Sequence, residues 1–169
     1  MPPTLLRWPG PTWNNAISTL MTSVSNTIST AVLRAVPLLA SVPDDQMRVL
    51  AAVVNRRSVP RGTTVLAAGD PTDSLYIVIS GRLKVMMSDA EGKEVILSIL
   101  VEGEFFGEMG LIDDNPRSAS VVSIEPCELL AISKRDFKRC LEENFEMAMA
   151  VMRGLVRRLR EADRKIGSL

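Results

Sequence analysis

No histidine occurs anywhere in the 169-residue sequence, which removes at once the commonest general base and the commonest metal ligand. The two cysteines, Cys127 and Cys140, lack the spacing and the number that a zinc or iron–sulfur site needs. Two such thiols fit a reducing compartment. No run approaches the ~18 apolar residues of a membrane span, and residues 1–30 lack the charge-flanked apolar stretch of a secretory signal. A cytoplasmic location without membrane insertion is therefore expected. No nucleophile, base and orienting group can be assembled into a catalytic set, so the pattern reads as a binding protein and not as an enzyme.

What is present points to one sizeable core: 46% of the residues are hydrophobic, enough for a single compact domain with a helical appendage. Net charge is zero but unevenly laid out. Residues 61–133 hold five basic and twelve acidic side chains, whereas residues 134–169 hold ten basic and six acidic ones. Two readings of the basic tail stay open: contact with nucleic acid, or the solvated face of a long helix.

Residues 1–30 are rich in Ser, Thr, Pro and Asn, carry Arg7 as their one charge, and read as a loosely ordered extension. A transit peptide would need more arginines; an upstream start or a partner-binding arm is equally compatible. Residues 31–54 read as short helices broken at Pro37 and Pro43, with a helix start at Ser41 or Asp44. Past Arg56 the period changes. TTVLAA, SLYIVIS, RLKVMMS, EVILSIL, ASVVSI and CELLAIS are short β-branched or apolar runs separated by turn signals, the pattern of a small barrel or sandwich. SLYIVISGRLKVMM and DAEGKEVILSIL read as consecutive antiparallel hairpins. Helix returns in SKRDFKRCLEEN, opened by Ser133 with Asp136 at capping-box spacing, and then in a longer helix over residues 145–169. Along that helix Phe145, Met149, Met152, Val156, Leu159, Asp163 and Ile166 step alternately by four and three, a heptad seam suited to pairing with a second copy. Met147, Val151 and Leu155 supply a separate face for packing on the chain's own core.

The segment GEMGLIDDNPRSASV, residues 107–121, interrupts the strands with something other than sheet. Gly107 and Gly110 permit close backbone approach, and GEMGLI is long enough for about one helical turn whose free N–H groups face an anion. Arg117 follows a DDNP turn beside the small Ser118 and Ala119, and a guanidinium binds phosphate through paired hydrogen bonds. In an otherwise acidic region Arg117 is expected to be the only cation in the pocket. Glu108, which only accepts hydrogen bonds when ionised, suits a sugar hydroxyl. Phosphate beside hydroxyl describes a nucleotide. The plainer alternative is a turn with a surface ion pair from Glu108 or Asp113 to Arg117. Asp113 and Asp114 read as turn builders.

Residues 32–169 resemble the sensor domain of the cyclic-AMP receptor protein (Crp/Fnr) family of transcription regulators. FGEMGLIDDNPRSASV matches that family's phosphate-binding cassette, SLYIVISG and EGKEVILSIL its preceding hairpins, and RGLVRRLREADRKIGSL its dimerisation helix. The resemblance implies a mainly β fold with flanking helices: a jelly-roll-like β-roll over residues 31–144, then a long C-terminal dimerisation helix over residues 145–169. It implies that Gly107, Ser118 and Ala119 bind a cyclic phosphate together with Arg117, that Glu108 takes the ribose 2′-hydroxyl, and that no metal or cofactor is needed. The cassette is one residue shorter than in the best-known bacterial activator. Where that activator has a Thr-Ser pair reaching adenine, this chain has Ala162 and Asp163. The resemblance places Asp163 near the base of a ligand in the facing subunit; the alternative is a solvated break paired with Arg160 or Lys165. The implied ligand is cyclic AMP, with cyclic GMP or cyclic di-GMP as alternatives. The implied partners are a second copy of the chain and DNA reached through a module beyond residue 169, and a stand-alone module acting on a protein partner is the rival.

Overall fold

A computed structural model of the chain describes residues 28–71 and 73–168. The extension expected over residues 1–30 thus falls largely outside the described residues. At its end Ile28 is buried, and the Ser29 hydroxyl accepts a hydrogen bond from the Ala31 N–H at 3.2 Å to cap α1, Thr30–Arg34. Pro37–Leu39 form a 3₁₀ turn and α2 runs Asp44–Val53. Of the two starts expected, Asp44 is the first helical residue, and with Asp45 it puts two carboxylates in the first turn, where the helix dipole favours them.

Eight strands follow. They are β1 (Asn55–Val59), β2 (Thr64–Leu66), β3 (Ser74–Ser80), β4 (Leu83–Ser88), β5 (Glu94–Leu100), β6 (Phe105–Phe106), β7 (Ser120–Ser123) and β8 (Cys127–Ser133). A short α3 (Glu108–Asp113) interrupts them, and α4 (Lys134–Glu143) and α5 (Phe145–Gly167) complete the chain. All strand pairs are antiparallel, in two sheets ordered β1-β8-β3-β6 and β2-β7-β4-β5. This is the expected β-roll with flanking helices.

One expectation needs correction. β3 and β4 do not form a hairpin: β3 lies between β8 and β6, and β4 between β7 and β5. Gly81 turns the chain from one sheet into the other at φ +88°, where a Cβ would lie 2.5 Å from the Pro126 carbonyl oxygen, so only glycine fits the corner. The β4–β5 hairpin is formed as read.

β3 is nearly continuously apolar because it is covered on both sides. Leu75 and Ile77 join a cluster with Leu33, Met47, Leu50 and Phe137 under the helices, while Tyr76 and Val78 join Leu83, Phe106, Val121 and Leu129 between the sheets. Helix α4 is capped as expected, the Ser133 hydroxyl accepting from the Asp136 N–H at 3.2 Å and donating to the Asp136 carboxylate at 2.8 Å.

Helix α5 shows both of its stripes. Met147 and Val151 are buried against the core, and at Gly154 the helix comes so close to β6 that a Cβ would lie 2.8 Å from the Phe105 ring. The seam is not covered by the chain itself: Phe145 is 71% exposed, Leu159 63% and Ile166 69%, with Met152 and Val156 also exposed.

Candidate nucleotide site

β6 is the edge strand paired with β3, and past its end Gly107 bends the chain sharply at φ +86°. A side chain there would lie 2.5 Å from Arg117 Nη1 and 3.1 Å from the Ser74 oxygen. The bend starts α3, whose first residue, Glu108, is only 2% exposed. α3 ends at Asp114, itself left-handed at φ 59°, and the Asp113 carboxylate accepts from the Asn115 N–H at 3.0 Å, so both aspartates build the turn. The chain then returns through Pro116 to Arg117. Arg117 is fixed by its backbone, its N–H donating to the Asp70 oxygen at 2.9 Å and its oxygen accepting from the Gly69 N–H at 2.8 Å.

These elements enclose a cavity of about 230 Å³. Five of the six predicted site residues line it together: Gly107, Glu108, Arg117, Ser118 and Ala119. The sixth, Asp163, does not; it is an exposed residue of α5 with no ion pair to Arg160 or Lys165. Val85 of β4 and Leu97 and Leu100 of β5 add an apolar wall. Such a division, a few polar groups on an apolar surface, suits a small ligand with one charged end.

Arg117 is 7% exposed. Its Nη1 donates to the Gly107 oxygen at 2.8 Å and its Nη2 to the Ser74 oxygen at 2.9 Å, while Asp73 stands 3.7 Å away. The guanidinium therefore ties the cassette to the start of β3. The buried Nε has no hydrogen-bond partner among the described residues. Burial draws the Arg117 pKa down, opposed chiefly by the Asp73 carboxylate.

Arg117 is not the only cation of the site, as the sequence suggests; nor does either expected carboxylate pair with it. Arg158 of α5 also lines the cavity, donating to the Glu108 carboxylate and to the Phe105 carbonyl oxygen, with its guanidinium 4.9 Å over the Phe105 ring. The sequence hides Arg158 because it is one of six basic residues along α5; its place on the same face as Met147 and Val151 is the one available signal.

Burial raises the Glu108 carboxyl above the ordinary glutamate range, with Arg158 opposing the shift. The folded protein then binds this proton more tightly than the unfolded chain. Glu108 contributes its full stabilisation below the ordinary value of ~4.3, and that contribution falls away as pH rises through the raised value. Glu108→Gln is expected to flatten the decline and to be more stable than wild type at neutral pH, while binding nucleotide more weakly. Denaturant midpoints across that pH range check it; a variant with the wild-type slope would show that Glu108 titrates normally.

Two antiparallel sheets forming a roll, a glycine-started helical turn and a buried arginine and glutamate lining one cavity define the class: a cyclic-nucleotide-binding roll. The model of the cyclic nucleotide-binding domain matches residues 56–144, and the chain belongs to that family. Within it the chain is a sensor domain of the Crp/Fnr type, as its relatives indicate. It is 36% identical over 111 residues to the cAMP-activated global transcriptional regulator CRP of Pasteurella multocida, a match covering 65% of this chain and 53% of that protein. Among solved structures it superposes on the catabolite activator protein of Thermus thermophilus with a TM-score of 0.68 and 34% identity, over 78% of this chain and 62% of that one. It also matches the N-terminal domain of a transcriptional regulator from Streptomyces coelicolor, with a TM-score of 0.60 and 34% identity, over 80% of this chain and 94% of that one. The chain spans about half the length of the curated relatives it matches. Among the described residues no helix is long and apolar enough to cross a membrane, and no cluster of side chains suits a metal ion.

Proposed function

We propose that the chain is the ligand sensor of a cytoplasmic transcription regulator: it binds one cyclic mononucleotide, cyclic AMP first, pairs through α5, and conveys occupancy to a DNA-binding module. The observation that carries the reading is that a buried guanidinium, Arg117, and a buried carboxylate, Glu108, line one small cavity. Arg117 and the backbone at Ser118 and Ala119 hold the phosphate; Glu108 accepts from the ribose hydroxyl. Because Arg158 joins Glu108 to α5, a ligand that takes Glu108 must move or share Arg158, and the orientation of α5 follows the pocket. The relatives that carry this domain are regulators, and no catalytic role is assigned to it.

One feature supports pairing through α5: Phe145, Met152, Val156, Leu159 and Ile166 of its seam stand exposed in the single chain. Titration calorimetry of the purified chain with cyclic AMP, cyclic GMP and cyclic di-GMP tests the whole proposal. Cyclic AMP is expected to bind most tightly at one per chain; binding of none of the three would overturn it.

Asp163 favours a second reading for the base. An acceptor-only carboxylate at the facing subunit's base edge tolerates the adenine amino group but suits guanine N1–H and N2 together. Asp163→Ala is expected to change the ratio of cyclic AMP to cyclic GMP affinity about tenfold, the ~1.4 kcal/mol of one charge-assisted hydrogen bond. Equal weakening of both ligands, or no change in either, would show that Asp163 does not contact the base.

A further inference from the structure

Met147, Val151 and Gly154 are the buried residues of α5, and Gly154 is the last of them. A glycine inside a helix costs stability relative to alanine, so its place there asks for a reason. The reason is Phe105. A Cβ at position 154 would lie 2.8 Å from the ring's Cζ and 3.0 Å from its Cε1, whereas at Gly167 of the same helix nothing lies within 4 Å. Phe105 has little room to retreat: it is buried in the cluster under the helices, in a strand held to β3 opposite Ile77.

Arg158 stands one turn beyond Gly154 on the same face of α5. Its guanidinium lies 4.9 Å over the same ring and donates to the Phe105 carbonyl oxygen and to Glu108, so α5 holds Phe105 at two points one turn apart. Open space adjoins this grip. Arg158 lines the nucleotide cavity and also a second cavity of about 370 Å³, which Gly154, Phe105, Pro37 and Leu38 share. With free volume beside Arg158 in both cavities, its reach to Glu108 depends on how near α5 lies to Phe105. We propose that Gly154 is a positioning residue for the nucleotide site: lacking a side chain, it seats α5 directly on the Phe105 ring, and this seat delivers Arg158 to Glu108 and keeps that carboxylate ready for the ribose hydroxyl. The inference rests on the nucleotide reading of Glu108 given above. A methyl group at position 154 pushes the helix outward and draws Arg158 off a carboxylate that is 2% exposed. The charged groups facing Glu108 are Arg158 from α5 and Arg117 from the return of the cassette. With Arg158 withdrawn, burial holds the Glu108 proton more tightly, and the neutral acid is the poorer acceptor.

Calorimetric titration of the full chain with cyclic AMP, repeated across pH, tests the seat. Gly154→Ala is expected to bind about tenfold more weakly than wild type near neutral pH, the size of one charge-assisted hydrogen bond. The deficit should shrink as pH rises, because Glu108 then ionises without Arg158. Gly167→Ala, where nothing stands in the way of a methyl group, should bind as wild type does. Adding Phe105→Leu to Gly154→Ala makes room for the methyl group, so the double variant should bind more tightly than Gly154→Ala alone. A Gly154→Ala protein with wild-type affinity, a deficit that stays constant with pH, or a double variant weaker than Gly154→Ala would overturn the proposal. Denaturant midpoints without ligand give an arm independent of the nucleotide: the decline that Glu108 produces as pH rises should extend to higher pH in Gly154→Ala and return to the wild-type range in the double variant. If wild type binds no cyclic nucleotide, that arm decides. An extended decline upholds the seat and puts only the nucleotide reading at fault; an unchanged decline overturns the seat as well.

Discussion

Arg117→Leu is expected to bind cyclic AMP about 100-fold more weakly than the wild type, from the loss of one or two hydrogen bonds to a charged group at ~1.5–3 kcal/mol each. The position makes the loss large. Arg117 is almost fully buried, and Arg158, which also lines the cavity, is engaged by Glu108 and the Phe105 oxygen. The same substitution also removes the two bonds that tie the Gly107 and Ser74 carbonyls together. Unpaired carbonyls cost about 1–3 kcal/mol each, a noticeable part of a typical ~5–15 kcal/mol of stability. The variant should therefore be folded but less stable. Arg117→Lys separates the two roles. A lysine keeps the charge but cannot donate to both carbonyls and a phosphate in one plane, so its affinity should fall between those of wild type and the leucine variant. Calorimetric titration beside denaturant unfolding measures both effects; an affinity unchanged in Arg117→Leu would remove the cassette assignment.

How far the sequence was legible depended on how local each signal is. The cassette can be read because Gly107, Glu108, Arg117, Ser118 and Ala119 lie within thirteen consecutive residues and return to one cavity through a single turn. Arg158 is fifty residues from Glu108, and periodicity places it on the inward face without naming its partner. The strands show the same contrast. β3 and β8 are long apolar runs and stand out, whereas β1 reads NRRSV, an edge strand exposed over its first four residues, and β6 is only two residues long. Neither has a period to detect. A β3–β4 hairpin is expected and not formed; a strand–Gly–strand sequence looks the same whether the chain folds back beside itself or turns a corner into a second sheet. The deciding fact is the proximity of Pro126 to Gly81, which is not a local property. On α5 the two apolar stripes were separable because each keeps its own helical phase, and their burial differs accordingly.

The outward stripe gives the other large expected effect: Leu159→Asp should convert a dimer into a monomer. Leu159 lies toward the C-terminal half of the seam, 63% exposed in the single chain, with Val156 one step before it on the same face. In a paired helix both copies place this residue against each other. The substitution therefore brings two carboxylates into an apolar contact, at a cost of several kcal/mol, about 3 kcal/mol being enough for more than a hundredfold in association. Because the side chain touches solvent and not the chain's own core, monomer stability should hardly change. That separates it from Val151→Asp, which is buried against the core and should unfold the protein. Light scattering at tens of micromolar, about the range of a weak association, is the measurement. The expected readings are a dimer for the wild type and a folded monomer for Leu159→Asp. A wild-type chain already monomeric there, or a variant that stays dimeric, would mean that the seam is not the pairing surface.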